Sequence, residues 1–344
     1  MQITNLSIEE LRAVGQSLLF HGRLREAEAV FEELQKKAKA VGDDVGLGWA
    51  VKGLAEVNRY SGQPDYALHF AREALTLANK TGDSRLRIAA YNELGSLFLI
   101  QGDYNSAAEN FGECLKEAKA HGYSENIGTL YGNIGMVLGR QGKPNEAHEA
   151  FDQAVRYARA SGNSYQLAQQ LVCLAQSHFD RRGYAEAEVL IAENIDLCDT
   201  NKYIQLQGRN YGSLGLIRFR QGKLEDAKGY LEKASSIALE ISDEDGLAKR
   251  KSNLAQVYAA MGQSLMAHKC FEESIRITER IGDVQGAAVD HMARGNLYAK
   301  DAKDMQTDLA LLHLTIARDY FAKLGDTRNL QVAEALLKDL EKSQ

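Results

Sequence analysis

The side chains best suited to catalysis or metal binding in this 344-residue chain are four cysteines and eight histidines. The cysteines, Cys114, Cys173, Cys198 and Cys270, form no Cys-x-x-Cys pair, and none lies at zinc-ligand spacing from a histidine. The chain contains no Gly-x-Ser-x-Gly elbow, no phosphate-binding loop and no His-Glu-x-x-His motif. We therefore predict a protein that is not an enzyme, with no catalytic residue, no cofactor and no metal site.

Composition limits the remaining classes of protein. The chain has 41 basic and 47 acidic side chains, a balance that gives no electrostatic reason to expect nucleic acid binding. No apolar run is long enough to cross a membrane, and the first residues lack the pattern of a signal peptide. Cysteines without a disulfide framework are typical of a reducing compartment. These features predict a cytoplasmic protein.

The elements that would position any site come from a repeat of 40 residues. One set of glycines keeps this spacing, at Gly22, Gly62, Gly102, Gly142, Gly222 and Gly262. A second set comprises Gly42, Gly82, Gly122, Gly162 and Gly282, followed by Gly325 after a three-residue insertion. A third register holds only glycine or alanine, at Gly15, Ala55, Gly95, Gly135, Ala175, Gly215, Ala255 and Gly295. Such self-similarity is the signature of a repeat architecture.

Each repeat is predicted to be a pair of helices. Apolar residues fall three and four apart between the turn glycines, which is the helical period. Glycine ends a helix in the left-handed conformation, and both prolines, Pro64 and Pro144, fall in the first turn of the helix that follows. The eight predicted units are 4–43, 44–83, 84–123, 124–163, 164–203, 204–243, 244–283 and 284–326, followed by a capping helix at 327–344. We predict that residues 1–344 form a single domain.

The fifth unit departs from the pattern. Arg182 occupies a turn-glycine position, with Gly183 interpreted as a glycine shifted by one residue. Asn201-Lys202 replaces the Gly-Asp pair that ends four of the units, in which glycine is predicted to end one helix and aspartate to cap the next. Because asparagine tolerates the left-handed conformation, we expect an altered cap there; the alternative is a hinge or an altered superhelical twist. The insertion around 301–306 is predicted to be a longer turn.

The repeat resembles the tetratricopeptide repeat (TPR). Leu94-Gly95-Ser96-Leu97-Phe98, followed by Ala107 and Phe111, has that family's signature spacing, and Leu254-Ala255-Gln256-Val257-Tyr258 has it again. The family's usual unit has 34 residues and a closing proline, whereas these units have 40 and lack that proline. The longer units resemble those of kinesin light chains, Pins-type adaptors and Rap-type peptide sensors. The resemblance implies an all-α, right-handed superhelical solenoid.

In this family the first helix of each pair lines a concave groove, and the resemblance transfers that role to particular positions of this chain. The apolar floor is predicted to contain Leu99, Met136, Val172, Phe179, Leu216 and Phe219. The basic rim is predicted to contain Arg140, Arg209, Arg220 and Lys249, with Lys52 and Arg59 nearer the N-terminus. Among the amides expected to hydrogen-bond a peptide are Asn133 and Asn253. Gly132, Gly139 and Gly212 are predicted to let a ligand backbone approach.

A plainer interpretation stands beside this one. Helix-spaced apolar residues usually belong to the core, so Phe179 and Phe219 are either groove or core, and scattered arginines usually form a solvated surface. Together, an apolar floor and a basic rim favour an acidic amphipathic partner segment. A carboxylate clamp of the chaperone-binding type is not expected, because Glu56 and Glu93 would repel a carboxylate near Lys52.

The sequence therefore predicts an adaptor or scaffold that binds a partner protein or peptide. Two alternatives stay open, a peptide-responsive sensor and the regulatory subunit of a larger complex. The identity of the partner and the oligomeric state are left undetermined.

Overall fold

The computed structural model describes residues 3–300 and 304–342, and in these ranges every long element is an α-helix. The helices are α1 (Ile8–Phe20), α2 (Leu24–Val41), α3 (Asp44–Tyr60), α4 (Pro64–Thr81), α5 (Ser84–Gln101), α6 (Tyr104–Ala120), α7 (Ser124–Arg140), α8 (Pro144–Ser161), α9 (Ser164–Asp180), α10 (Tyr184–Asn201), α11 (Ile204–Arg220), α12 (Leu224–Glu240), α13 (Glu244–Ala260), α14 (Ser264–Ile281), α15 (Val284–Lys300), α16 (Asp304–Leu324) and α17 (Thr327–Glu341). The predicted all-α array of helical pairs is confirmed. None of the helices in these ranges is both long and apolar enough to span a bilayer.

The helices fall into two compact bodies. We call them the N-terminal body (Met1–Ser177) and the C-terminal body (His178–Gln344). In the N-terminal body the first helices of successive pairs touch, α1 against α3, α3 against α5, and α5 against α7. In the C-terminal body α11 contacts α13, and α13 contacts α15. Each body thus has a surface made of adjoining first helices. The single-domain assignment for 1–344 stays a prediction.

Small residues at the helix crossing allow the two helices of a pair to approach closely. A methyl group added to Gly95 would lie 2.7 Å from the ring of Phe111, which is fully buried. At Gly135 the same addition would lie 2.7 Å from Phe151. The aromatic ring therefore fills the space that a side chain larger than glycine would need. This close packing explains why the crossing register holds only small residues.

Left-handed turn residues end most of the helices. Gly42 has φ 71°, and the next residue, Asp43, accepts hydrogen bonds from the backbone N–H groups of Val45 and Gly46 at 3.1 and 2.9 Å. The predicted combination of a glycine stop and an acidic N-cap is confirmed at this turn.

The altered turns of the fifth unit correct two predictions. Arg182 itself takes the left-handed conformation, with φ 62°, whereas Gly183 has φ −78° and is not a shifted turn glycine. At the end of the unit Lys202 is left-handed, with φ 61°, while Asn201 is the last residue of α10. The position in the repeat decides the conformation, because the chain must reverse there whatever the side chain.

The end of the array also departs from its prediction. Helix α16 begins at Asp304, so residues 304–306 are helical, and the rest of the predicted longer turn lies outside the described residues. The predicted capping helix is present as α17, in which Ala333, Leu337 and Leu340 are buried. Its last two predicted residues, 343 and 344, lie outside the described residues.

Candidate functional site

The predicted groove residues all lie on first helices of their pairs. In the N-terminal body they are Leu99 on α5, Asn133, Met136 and Arg140 on α7, and Val172 on α9. In the C-terminal body they are Phe179 on the last turn of α9, Arg209, Leu216, Phe219 and Arg220 on α11, and Lys249 and Asn253 on α13.

In the N-terminal body only part of the predicted surface is open to solvent. Met136 is 41% exposed and Arg140 is exposed. Leu99 and Val172 are half-buried, and Leu99 packs on the core cluster that contains Phe111. A side chain that packs on this core has less surface left for a ligand.

In the C-terminal body the predicted cations are exposed and the predicted apolar side chains are half-buried. Arg209, Arg220 and Lys249 are exposed, and Lys249 is paired with Asp245, with 2.6 Å between Nζ and Oδ2. Phe219 is half-buried, and it packs on a core cluster that includes Phe271.

Three further predicted residues of the C-terminal body are also half-buried, namely Phe179, Leu216 and Asn253. The ring of Phe179 lies 5.6 Å from that of Tyr184. Like Phe219, Phe179 contributes to packing and also keeps some exposed surface. Phe179 therefore has features of both interpretations, groove lining and core, that the sequence left open.

Two of the three glycines predicted to admit a ligand backbone are occupied by the chain itself. A methyl group on Gly132 would lie 2.2 Å from Oε1 of Gln170, and one on Gly212 would lie 3.1 Å from Nε of Arg250. Only Gly139 has open space around it. Gly132 and Gly212 therefore make room for neighbouring side chains, and the prediction for them is wrong.

Arg250 is a largely buried cation of the C-terminal body. Its Nη1 donates to the backbone oxygen of Gly246 at 3.3 Å, while its Nε has no hydrogen-bond partner among the described residues. Burial lowers the pKa of Arg250, the Asp243 and Asp245 carboxylates oppose this shift, and the Arg209 guanidinium adds to it.

The cations predicted near the N-terminus are already neutralised. Nζ of Lys52 lies 2.6 Å from Oε1 of Glu56, and Nε of Arg59 lies 2.7 Å from Oε1 of Glu93. Burial raises the pKa of Glu93, and its ion pair with Arg59 opposes that rise. The two glutamates that were expected to repel a carboxylate are thus engaged with Lys52 and Arg59, so the argument against a clamp now rests on cations that already have partners.

A pocket that sequence reasoning missed lies in the N-terminal body, and we call it the Trp49 pocket. It has a volume of about 280 Å³. Its lining residues are Trp49 and Lys52 on α3, Arg85, Ile88, Ala89 and Asn92 on α5, Cys114 on α6, Tyr123 before α7, and Asn126, Thr129 and Leu130 on α7. One signal was available in the sequence, because Trp49 is the single tryptophan and occupies the same repeat position as Arg209 and Lys249.

The buried thiols of Cys114 and Cys198 are not activated as nucleophiles. Burial raises the pKa of Cys114 to about 12 and that of Cys198 to about 11. A thiol is nucleophilic as its thiolate, so neither side chain is activated near neutral pH. In the described part of the chain no disulfide forms, and no group of three or more histidine, cysteine or acidic side chains is arranged to hold a metal ion.

Comparison with known proteins agrees with this geometry. The family model described as tetratricopeptide repeat matches residues 81–160 and 206–280. The two matched segments are thus tetratricopeptide repeats, as the spacing around Gly95 and Ala255 predicted. No curated protein matches the chain.

Several solved structures share the fold. A Rap protein complexed with competence and sporulation factor has a TM-score of 0.66 at 12% identity, over 98% of this chain and 98% of that one. The apo quorum sensor NprR from B. thuringiensis has a TM-score of 0.63 at 15% identity, over 97% and 98%. A signal transduction ATPase with a tetratricopeptide repeat sensor, from Pyrococcus horikoshii, has a TM-score of 0.69 at 15% identity, over 97% of this chain and 50% of that one. At these identities the likeness shows the fold alone.

Proposed function

We propose that the chain binds a segment of a partner protein, or a peptide, on the surface formed by its first helices, and acts as an adaptor or scaffold. The observation that carries this proposal lies on α11, where the guanidinium of exposed Arg220 lies 5.9 Å from the ring centre of half-buried Phe219, and where Arg209 is exposed and Leu216 half-buried. An apolar layer with a cationic border suits an amphipathic segment that carries acidic side chains. The proposed partner is therefore an acidic amphipathic segment.

A peptide-responsive sensor is the second candidate. Its support is the fold shared with a Rap protein solved with competence and sporulation factor and with a Rap regulator solved with a Phr* peptide. A role as the regulatory subunit of a larger complex uses the same binding surface. In each case we propose a non-catalytic protein of the cytoplasm.

Charge reversal tests the cationic border. We expect Arg209→Glu, Arg220→Glu and Lys249→Glu, made together, to abolish capture of the partner by the immobilised chain. The matched control reverses three exposed cations on second helices, namely Lys36, Lys269 and Arg276. Both variants change the net charge equally, so binding lost only in the first supports the border. Equal capture by the two variants would remove it from the proposal.

The apolar layer is tested by Phe179→Asp and Phe219→Asp, each monitored for folding by circular dichroism. We expect a folded variant that no longer captures the partner. If the variants unfold instead, these rings serve the core. Phe179→Ala and Phe219→Ala then provide the measurement, since they shorten the side chain without burying a charge.

Small-angle scattering separates the sensor from the adaptor. A sensor is expected to change its radius of gyration when its peptide is added, because binding shifts the population between two conformations. A passive adaptor is expected to keep the same value with and without the bound segment.

A further inference from the structure

The polar groups of the Trp49 pocket are arranged as hydrogen-bond donors. The Thr129 hydroxyl accepts a hydrogen bond from Nε2 of Gln166 at 2.7 Å, so its own proton is left to donate. The Asn92 Oδ1 accepts from Nδ2 of Asn133 at 3.1 Å, which leaves the amide NH₂ of Asn92 to donate. Each of the two side chains thus uses an acceptor oxygen within the protein and retains a donor group that can bind a ligand.

The charge around the pocket also favours an anion. Arg85 is exposed, its guanidinium lies 5.1 Å from the ring centre of Tyr123, and no carboxylate pairs with it among the residues that the structure describes. Arg12 lies 5.1 Å from the ring centre of Trp49. No acidic side chain is among the lining residues; Lys52 is paired with Glu56, so Arg85 is the lining residue that supplies positive charge. An anion entering the pocket therefore meets donors and positive charge.

The rest of the lining is apolar, and the space is small. Trp49, Ile88, Ala89 and Leu130 supply apolar surface, and the volume of about 280 Å³ lies just below the range of about 300–1,000 Å³ usual for small-molecule sites. A single side chain, or the last residue of a peptide, fits this space better than a large cofactor does.

We infer that the Trp49 pocket binds a carboxylate carried on an apolar stem, supplied either by the C-terminal residue of a bound peptide or by one of its acidic side chains. Arg85 pairs with the carboxylate, Asn92 and Thr129 donate hydrogen bonds to it, and the Trp49 ring packs on the stem. The inference rests on the proposed function, because the carboxylate belongs to a bound peptide. It assigns that role to a site other than the cationic border of the C-terminal body.

The pocket contains its own reporter. Trp49 is the only tryptophan in the chain, so intrinsic tryptophan fluorescence reads the pocket alone. The probes are two matched pairs of short synthetic peptides. The first pair is acetyl-Gly-Gly-Leu-Gly-Leu with a free C-terminus and with a C-terminal amide. The second pair is acetyl-Gly-Leu-Glu-Leu-Gly-amide and the same peptide with glutamine in place of glutamate.

We expect at least one carboxylate-bearing peptide to bind about tenfold or more tightly than its amide partner, which is the effect of one charge-assisted hydrogen bond. A preference in the first pair identifies a C-terminal carboxylate, and a preference in the second identifies an acidic side chain. Equal binding within both pairs overturns the inference. So does unchanged Trp49 fluorescence with all four peptides up to about 1 mM, since a weaker interaction would not be specific recognition.

Variants of Arg85 test the assigned contact. Arg85→Gln is expected to remove the preference for the carboxylate, and Arg85→Lys to keep part of it, because lysine retains the charge but not the planar fork. The control is Arg72→Gln, which removes an exposed arginine from α4, outside the pocket. A preference that survives Arg85→Gln contradicts the assignment. Both positions are exposed, and circular dichroism checks that the variants keep their helices.

The two proposals fail separately. Loss of partner capture after charge reversal of the cationic border concerns the C-terminal body and leaves the Trp49 titration unchanged. A negative Trp49 titration in a chain that still captures its partner removes the carboxylate pocket alone.

Discussion

The N-terminal and C-terminal bodies are built from the same helical pair but treat their turns differently. In the N-terminal body glycine occupies every left-handed turn position that the structure describes, from Gly22 to Gly162. In the C-terminal body three of these positions hold Arg182, Lys202 and Ser242, with φ between 56° and 62°. A side chain in this conformation carries a steric cost that glycine avoids. The comparison shows that helix packing sets the turn geometry, and that the residue type sets only its cost.

The two bodies also bury their ionisable groups differently. In the N-terminal body Glu93 is 2% exposed and is compensated by an ion pair with Arg59. In the C-terminal body Nδ1 of His291 lies 2.7 Å from Nδ1 of His313, and buried Asp290 is hydrogen-bonded by Ser252. A buried ionisable group that lacks an oppositely charged partner is most stable in its neutral form. We therefore expect acid to destabilise the C-terminal body through its histidine pair, whereas Glu93, whose pKa is raised, gives the N-terminal body no such loss in acid.

Overfilling the helix crossing should give the largest effect, and it asks whether the two bodies pack alike. Gly95→Val in the N-terminal body and Gly215→Val in the C-terminal body each place methyl groups against a fully buried side chain, Phe111 and Leu231 respectively. We expect each to lower the free energy of unfolding by about 1–3 kcal/mol, with the smaller loss at Gly215, because leucine adapts more readily than an aromatic ring. Urea denaturation measures both. An unchanged midpoint for either would contradict close packing at that crossing.

Acidification should destabilise the C-terminal body through its histidine pair. Burial, together with the positive charges of nearby Arg294, His291 and His268, lowers the pKa of His313 to about 4, and burial also lowers the pKa of His291. The folded state thus favours neutral histidine, so this stabilisation is present above the ordinary pKa of 6.5 and is lost as the pH falls from there towards about 4.

Hydrogen exchange of α15 and α16 as a function of pH measures this loss. The groups around the pair are Glu279 on α14, Arg294 on α15 and Tyr320 on α16, and the Glu279 carboxylate partly opposes the shift at His291. His313→Phe should flatten the pH dependence, and the exposed His69→Phe in the N-terminal body is the control. The same acid response in both variants would show that another group is responsible.

Removing the buried carboxyl group should have a smaller effect of opposite sign. Burial raises the pKa of Asp290 to about 6 from an ordinary value of 3.8, so its ionisation costs stability as the pH rises through this window. Asp290→Asn keeps an oxygen to accept from Ser252 and cannot ionise. We expect a higher thermal midpoint than in the unmodified chain near neutral pH, and none of that gain below about pH 3.8. A gain of equal size at both pH values would point to packing and not to charge.

Exchanging turn residues between the bodies should give the smallest effect. Arg182→Gly should raise the free energy of unfolding by about 0.5–1 kcal/mol by relieving the left-handed backbone, and Gly62→Arg should lower it by a similar amount. Opposite shifts of similar size, measured by urea denaturation, would show that the turns are equivalent. No gain from Arg182→Gly would mean that its side chain stabilises the turn by other contacts.

Much of the fold could be predicted because the repeat states it many times. The crossing register, the turn glycines and the acidic caps each recur at 40 residues, so single exceptions such as Arg182 did not obscure the pattern. The exceptions were misread for a local reason. Gly183 beside Arg182 looked like a displaced turn glycine, although the geometry of the turn, and not the residue type, fixes which position becomes left-handed.

The candidate site was harder to predict because the charge and the free space at each position depend on side chains from neighbouring units. Arg59 looked like a free cation, yet Glu93, 34 residues away, neutralises it. Gly212 looked like an opening, yet Arg250 from the next first helix fills the space. The Trp49 pocket was missed because, although Trp49, Ala89 and Thr129 share one repeat position, nothing in the sequence shows that the side chains of three repeats leave a cavity there.

The constant spacing of the turn glycines has an evolutionary consequence. Because the crossing lies within each pair and recurs every 40 residues, a 40-residue pair can be duplicated or deleted between equivalent turns with its own crossing intact. The array can therefore lengthen or shorten during evolution by whole units. The exposed side chains of each unit can meanwhile diverge independently of those in the other units.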